Sequence, residues 1–206
     1  LFPQLTEEQK NKILLGIAAR LEEHTEEILA VNELDMKDAV INQIPTIMLD
    51  RLKLTTERIQ QIAEGVRQVV DLEDPVGRVL DVIERPNGLH IEKRCVPLGV
   101  IAIIFEARPN VTVDASVLCF KTGNATILRG GKEAFRTNQC VVKVIRDAIA
   151  ENGVNPDAIQ LVEVLDREAV GTLLSLRDYI DVVILRGGAG LIHRVVQDSA
   201  IPVIET

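Results

Sequence analysis

Apolar residues in the first third of the chain recur every three or four positions, the spacing of one face of an α-helix. Ile13, Ile17 and Leu21 lie on such a stripe, and acidic residues fill the opposite face. Thr6 and Gln9 match a capping box at the start of this segment. The pattern predicts helices over residues 6–34, over residues 46–52, and from a cap at Thr55 or Thr56 to about Val70.

The pattern changes near Pro75 and Gly77, where two runs of strand-forming residues follow. Residues 78–84 and 90–96 both have the composition of strands, and the turn-forming sequence at residues 86–88 separates them. This predicts a long, charged β-hairpin. Because an isolated hairpin is marginally stable at best, we expect it either to pack on the helices or to pair with another subunit of a homo-oligomer.

From Leu98 onward, apolar strand-like runs alternate with helix-like segments. Residues 100–105 form a continuous apolar run, as expected for a parallel strand that is buried on both faces. Right-handed crossovers convert such an alternation into a doubly wound, Rossmann-like α/β sheet. Strands are predicted at about residues 98–105, 125–128, 159–164, 179–185 and 201–205, and helices at about 111–121, 133–151, 167–175 and 190–198. The chain divides into an N-terminal helical part (1–76), a hairpin (77–97) and a Rossmann-like core (98–206).

One five-residue phrase, Ile-Leu-Arg-Gly-Gly, occurs twice in this core, at residues 127–131 and 184–188. Each copy ends a predicted strand and precedes a predicted helix, and ligands bind at the carboxyl ends of strands in such sheets. Glycines there allow the backbone to approach a ligand and its N–H groups to point at an anion. The alternative is that the glycines only make the turns. Two basic, glycine-rich turns in one sheet favour a ligand that carries phosphate.

Composition narrows the classes of function. The chain of 206 residues is 47% hydrophobic and has a net charge of −8, which argues against non-specific binding to nucleic acid. Aromatic residues make up 2% and tryptophan is absent, so a base-stacking platform is not expected. The three cysteines lack the spacing of a metal site, and their odd number fits a reducing cytosol. We therefore expect a cytoplasmic protein without a metal.

The first strand-to-helix turn contains Glu106, Arg108 and Asn110 and lacks the GxGxxG fingerprint of a standard dinucleotide site. It is predicted to bring the Arg108 guanidinium and the Asn110 amide to the mouth of the crevice, where arginine suits a phosphate or a carboxylate. Two alternatives stay open. Arg108 forms a salt bridge to Glu106 or a helix-cap contact, or Asn110 is simply the N-cap of its helix.

The second and fourth turns indicate a cofactor. A basic residue after the second strand of a dinucleotide fold accepts a 2′-phosphate, and Arg129 and Lys132 occupy that position, so NADPH is favoured over NADH. The alternative is two surface cations beside a turn. The fourth turn opens a helix that suits pyrophosphate oxygens, with Arg186, Gly187, Gly188 and Gly190. None of the three cysteines (Cys95, Cys119, Cys140) has the setting of a nucleophile.

Several stretches together resemble the γ-glutamyl phosphate reductase family of the aldehyde dehydrogenase superfamily. The most specific are EARPNVTVD at residues 106–114 and LRGGKE at residues 128–133. The others are CVPLGVI (95–101), RGGAGL (186–191), NELD (32–35), LDRL (49–52) and DPVG (74–77). The resemblance extends over essentially the whole chain.

The resemblance implies the reduction of L-glutamyl 5-phosphate by NADPH to L-glutamate 5-semialdehyde, with release of phosphate, in proline biosynthesis. It implies that Arg129 and Lys132 lie by the adenosine ribose and its 2′-phosphate. It implies that Gly187, Gly188 and Gly190 lie near the pyrophosphate. Gly130, Gly131 and Arg186, in the same two turns, are also expected to bind the cofactor. It places either Arg108 or Asn110 where the superfamily polarises the acyl oxygen, and it suggests glutamate 5-kinase as a channelling partner.

Members of the family are about twice this length, and their nucleophilic cysteine lies in a separate catalytic domain. The resemblance therefore implies the N-terminal part of an aldehyde dehydrogenase-like fold, with the nucleophile beyond Thr206. We expect these residues alone to be inactive as a reductase. Two alternatives are a non-catalytic nucleotide-binding or assembly module and the reductase half of a fused kinase–reductase.

Overall fold

The computed structural model describes residues 5–188, 195 and 199–205, except for the side chain of Arg167. Four helices come first, followed by a two-stranded hairpin and then by alternating strands and helices. The N-terminal helices are α1 (Glu7–Glu23), α2 (Thr25–Ile41), α3 (Thr46–Leu52) and α4 (Thr56–Asp71). The hairpin strands are β1 (Val79–Glu84) and β2 (His90–Arg94). The core elements are β3 (Val100–Phe105), α5 (Pro109–Lys121), β4 (Ala125–Arg129), α6 (Phe135–Glu151), β5 (Ile159–Leu161), α7 (Arg167–Ser175), β6 (Val182–Arg186) and β7 (Val203–Glu205).

The five core strands form one parallel sheet in the order β5-β4-β3-β6-β7. The chain therefore starts in the middle at β3, winds outward through β4 and β5, and returns to add β6 and β7 on the other side. This confirms the predicted doubly wound α/β fold. The reversal of direction leaves a crevice at the carboxyl ends of β3 and β6, which is where such sheets bind ligands.

The central strand is buried on both faces because its side chains alternate between two apolar clusters. Ile101, Ile103 and Phe105 pack into the larger cluster with residues of α1, α4, α5 and α6. Ala102 and Ile104 face the smaller one, which includes residues of α7 and β6. The N-terminal helices pack against α5 and α6, which in turn contact the strands.

The predicted single helix over residues 6–34 is wrong, because the chain forms two helices that meet at His24. The Thr25 hydroxyl donates to the carbonyl oxygens of Leu21 and Glu22, which offers the backbone a local alternative to a continuous helix. The second helix also runs on to Ile41. Its buried face includes the polar residues Asn32 and Asp35, so apolar periodicity does not reveal it.

Other boundaries differ by a few residues. Helix α5 begins at Pro109, with Arg108 as its N-cap, so Asn110 is not the cap. Strand β5 ends at Leu161, before an irregular segment, and strand β6 begins only at Val182 because a turn and a bend replace its predicted start. The helix predicted at 190–198 and the site residue Gly190 lie largely outside the described residues. No helix in the described segments has both the length and the apolar character needed to cross a bilayer.

Candidate functional site

Three strand ends meet at the carboxyl edge of the sheet, and both glycine-rich turns belong to this edge. Ile104 pairs with Arg129 in the neighbouring strand, and Phe105 pairs with Arg186 on the other side. Glu106, which follows the central strand, lies between the two turns and accepts a hydrogen bond of 3.1 Å from the backbone N–H of Gly188. The prediction that the two phrases end the second and fourth strands of one parallel sheet is confirmed.

The glycines of the first turn are needed for packing. A Cβ atom built on Gly130 would lie 2.4 Å from the Asn138 side chain, and one on Gly131 would lie 3.3 Å from the backbone of Glu106 and Ala107. Among the described residues, a Cβ on Gly188 would meet only the Glu106 carboxylate, at an ordinary 3.6 Å. Gly130 and Gly131 therefore allow two neighbouring turns to approach each other, which supports the structural explanation for this copy.

Arg129 is almost fully buried at 8% exposure. Its guanidinium donates to the carbonyl oxygen of Gly130 and, at 3.0 Å, to that of Leu165, while its Nε–H has no partner among the described residues. Burial lowers the pKa of this guanidinium, and Glu133 opposes the shift. The assignment of Arg129 to the cofactor stays a prediction, and the unpaired Nε–H is the donor that this arrangement leaves for a ligand.

Lys132 follows the same turn and is exposed. Its ammonium group makes no hydrogen bond or ion pair with any other residue in the described part of the chain. A lysine ammonium has three donors and suits phosphate oxygens as a point charge. Lys132 is thus the freer of the two cations that the sequence assigned to a 2′-phosphate, and its role too stays a prediction.

The turn after β3 carries a second group of polar side chains. Arg108 is half-buried and makes no side-chain hydrogen bond or ion pair within the described segments, so neither alternative for it is seen. Burial and the nearby charges of Arg51 and Arg186 lower the pKa of its guanidinium, whereas Glu106 acts in the opposite direction. The Asn110 amide donates to the Asp114 carboxylate at 3.3 Å, so Asn110 has a partner that Arg108 lacks.

Arg51 was not predicted as a site residue. It lies at the end of α3, and with Arg108 and Asp114 it lines a cleft of about 400 Å³ between the α3–α4 segment and the start of α5. No spacing rule links Arg51 to Arg108, because their proximity depends on how α4 packs against α5. The only available signal was the LDRL stretch that matched the family.

A buried clamp fixes the segment that follows Arg51. The Asn32 amide donates to the carbonyl oxygen of Leu52 at 2.9 Å and accepts from the backbone N–H of Leu54 at 2.8 Å. Asp35, one helical turn later, accepts two hydrogen bonds from Thr137, through its backbone N–H (2.8 Å) and its hydroxyl (2.7 Å). The NELD stretch therefore ties the wall of the cleft to α6.

The cysteines lie away from the strand ends. Burial raises the pKa of the Cys119 thiol, with partial relief from a contact to Thr126. Burial and the charge of Glu27 raise the pKa of the Cys140 thiol. Because the thiolate is the reactive form, neither residue is activated as a nucleophile in this arrangement.

Comparisons with known proteins agree on one family. The family model described as "Aldehyde dehydrogenase family" matches residues 2–205. The chain is 54% identical over 198 residues to the γ-glutamyl phosphate reductase of Moorella thermoacetica and 50% identical over 199 residues to that of Lachnospira eligens. These alignments cover 96% and 97% of this chain but 47% and 48% of the relatives. The chain thus spans about half the length of the curated relatives it matches.

Solved structures give the same result. The γ-glutamyl phosphate reductase of Thermotoga maritima superposes with a TM-score of 0.96 at 39% identity, over 98% of this chain and 49% of that one. The enzyme of the same name from Saccharomyces cerevisiae gives a TM-score of 0.90 at 32% identity, over 98% and 51% of the two chains. An acetylating aldehyde dehydrogenase from Geobacillus thermoglucosidasius shares the fold at 16% identity and a TM-score of 0.71.

Proposed function

The chain belongs to the aldehyde dehydrogenase family, and we propose that it forms the cofactor-binding part of a γ-glutamyl phosphate reductase. The reaction is the NADPH-dependent reduction of L-glutamyl 5-phosphate to L-glutamate 5-semialdehyde with release of phosphate, a step of proline biosynthesis. The relatives that carry this name support the assignment. The observation that carries it is the carboxyl edge of the sheet, where Arg108, Lys132 and Arg186 lack ion-pair partners among the described residues.

The residues at this edge fit a phosphate-bearing dinucleotide. Lys132 offers an unpaired ammonium group, and the buried Nε–H of Arg129 is a donor without an acceptor. A buried donor left unpaired costs about 1–3 kcal/mol, so a ligand oxygen placed there would be favoured. When bound, NADPH would supply the hydride for the reduction. The role of this chain is to bind the cofactor and fix its orientation.

Arg108 is the residue we assign to the reacting end of the substrate. Its guanidinium is half-buried, carries no ion pair, and lies near Arg186, so it can stabilise negative charge that develops on the acyl oxygen or on the departing phosphate. Asn110 is less suited, because its amide already donates to Asp114. In this arrangement Arg108 also holds the acyl phosphate in position.

Titration of the chain with NADPH and with NADH tests the cofactor. We expect tighter binding of NADPH, and we expect Lys132→Glu to weaken NADPH binding by about tenfold or more, because one charge-assisted hydrogen bond is worth about 1.5–3 kcal/mol. Affinity for NADH should change little. Lys143→Glu, at an exposed position of α6, makes the same charge change and serves as the control. Equal affinities for the two cofactors, or equal losses in both variants, would refute the assignment.

The hairpin supports a second copy of the chain as a partner. Its strands expose apolar side chains on both faces, including Leu80 (51%), Val82 (48%) and Ile91 (39%). Such a ribbon is rarely stable when unpaired. We expect analytical ultracentrifugation to show that the chain is an oligomer. The double substitution of Leu80 and Val82 by Glu should give monomers. If the parent chain is already monomeric, this partner is excluded. The glutamate 5-kinase partner stays a prediction.

A further inference from the structure

The cleft beside the β3–α5 turn has a charge pattern that the cofactor does not explain. It encloses about 400 Å³, and its wall includes Arg51 and Lys53 from the α3–α4 segment and Arg108, Asn110 and Asp114 from the start of α5. The volume falls within the range of small-molecule sites. The cleft is therefore large enough for a compact polar ligand.

Its cations are largely uncommitted. Arg58, also in the wall, is paired with the Asp50 carboxylate at 2.8 Å and donates to the carbonyl oxygen of Lys53 at 2.7 Å. By contrast, the side chains of Arg51 and Lys53 make no hydrogen bond or ion pair with any described residue, and the same holds for Arg108. Arg108 is close enough to Arg51 for the two positive charges to repel. Like charges held together in this way favour an anionic ligand between them.

One wall of the cleft has the opposite charge. The Asp114 carboxylate is half-buried, and its hydrogen-bond partner is the neutral amide of Asn110. Burial raises the pKa of this carboxyl group, whereas the Asn110 amide and the charge of Arg186 lower it. In the part of the chain that the structure describes, Asp114 thus lacks a direct cationic partner. A ligand ammonium group would supply one.

We propose that this cleft binds the zwitterionic α-amino acid end of the substrate, with Arg51 holding its α-carboxylate and Asp114 its ammonium group. Arg108 then lies between this end and Arg186, toward the acyl phosphate. The assignment rests on the proposed function, because it takes an amino acid acyl phosphate as the substrate. It adds Arg51 and Asp114 to the site as specificity-determining residues.

Nuclear magnetic resonance titration of the chain tests this proposal with L-glutamate, which carries the zwitterion, and with glutarate, which lacks the ammonium group. L-Glutamate should shift the backbone amide signals of Arg108 and Asn110. Arg51→Gln should weaken both ligands by about tenfold, as expected for a lost charge-assisted hydrogen bond. Asp114→Asn should weaken L-glutamate selectively and leave glutarate unchanged or tighter.

This crossed pattern separates binding from folding, because a structural defect would weaken both ligands in both variants. Lys143→Gln, at an exposed position of α6, is the control and should leave both affinities unchanged. Equal affinity of the parent chain for L-glutamate and glutarate would overturn the proposal, as would inorganic phosphate shifting the same signals as strongly as L-glutamate. NADPH titrated into the same samples keeps the two ideas apart. If the chain binds NADPH but not L-glutamate, only the cleft assignment is refuted. If it binds L-glutamate but not NADPH, the cofactor assignment is refuted.

Discussion

The Asn32 clamp should be a main determinant of both stability and the geometry of the cleft, and Asn32→Ala tests this. The Asn32 side chain is 2% exposed and forms with Leu52 and Leu54 the pair of hydrogen bonds that a neighbouring strand would form with an extended segment. Truncation removes both partners at once. It leaves the carbonyl group of Leu52 and the N–H of Leu54 facing a cavity that the alanine does not fill.

The expected loss follows from these two groups. Leu52 and Leu54 are 0% and 8% exposed, so neither backbone group can turn to bulk water. Each buried group left unpaired costs about 1–3 kcal/mol, which gives about 2–6 kcal/mol for the two. The hydroxyl of Thr137 loses the Asn32 amide but keeps Asp35, so it adds little. Even the lower limit would reduce the melting temperature by about 4–8 °C in a chain of this size.

Urea unfolding followed by circular dichroism measures this loss. The midpoint should fall while the slope stays constant, because the surface exposed on unfolding hardly changes. Asn42→Ala is the matched control, since Asn42 donates to the Asp38 carbonyl oxygen from an exposed position, and it should cost less than about 0.5 kcal/mol. Amide hydrogen exchange should also show reduced protection at Leu54. If Asn32→Ala costs no more than the control, the clamp contributes nothing.

The same variant links the fold to the site. Arg51 directly precedes the clamped segment, so release of residues 52–54 should broaden the positions that its guanidinium samples. We therefore expect Asn32→Ala to weaken L-glutamate in the way that Arg51→Gln does, with little effect on NADPH, because Lys132 lies on a different turn. Loss of both ligands would mean that the substitution had disturbed the sheet edge as a whole.

Three further predictions concern single positions. Gly99→Ala should destabilise the chain by about 2 kcal/mol or more, because φ is +121° and a Cβ would lie 2.1 Å from the Asp181 carboxylate. Its contrast is Gly65→Ala, in open space within α4, which should stabilise the chain by about 0.5–1 kcal/mol. The midpoints of urea unfolding measure both changes. Because burial raises the pKa of Asp114, its ionisation opposes folding above that pKa, so Asp114→Asn should be more stable than the parent at pH 7. Measured over a pH series, this margin should shrink as the pH falls through the raised pKa and vanish below the ordinary aspartate pKa of about 4. The Cys119 thiol, whose pKa burial raises, should resist a thiol reagent at pH 8 until the chain unfolds, and rapid labelling in the native state would contradict this.

The sheet was predictable because its central strand is a continuous apolar run in the sequence. Residues 100–105 are apolar throughout, and burial on both faces of the sheet requires that pattern. The end of α2 was not predictable in the same way, since Asn32 and Asp35 fill core positions with polar side chains. Their partners, Leu54 and Thr137, are distant in sequence. Periodicity detects a face that is buried by apolar groups and misses one that is buried by satisfied hydrogen bonds.

Local patterns also predicted where the candidate site lies in the fold more readily than which side chains line it. Glycine-rich turns after strands are local features, so the carboxyl edge of the sheet followed from sequence alone. Arg51 lines the same cleft as Arg108 through the packing of α4 on α5, which no local pattern encodes. The state of Arg129 is equally non-local, because its guanidinium donates to the carbonyl oxygen of Leu165, in the segment after β5.

The two copies of Ile-Leu-Arg-Gly-Gly show how one phrase can serve two purposes. In the first copy, the diglycine is enclosed, since side chains at Gly130 and Gly131 would collide with Asn138 and with the turn after β3. In the second, a side chain on Gly188 would meet no described residue closer than the Glu106 carboxylate at 3.6 Å, and its N–H donates to that carboxylate. Similar sequence therefore reflects a similar place at the end of a parallel strand, while the surroundings of each copy differ. By this reasoning we propose the second turn as the better candidate for direct contact with a phosphate, and the side chain of Lys132 as the group that the first turn would offer.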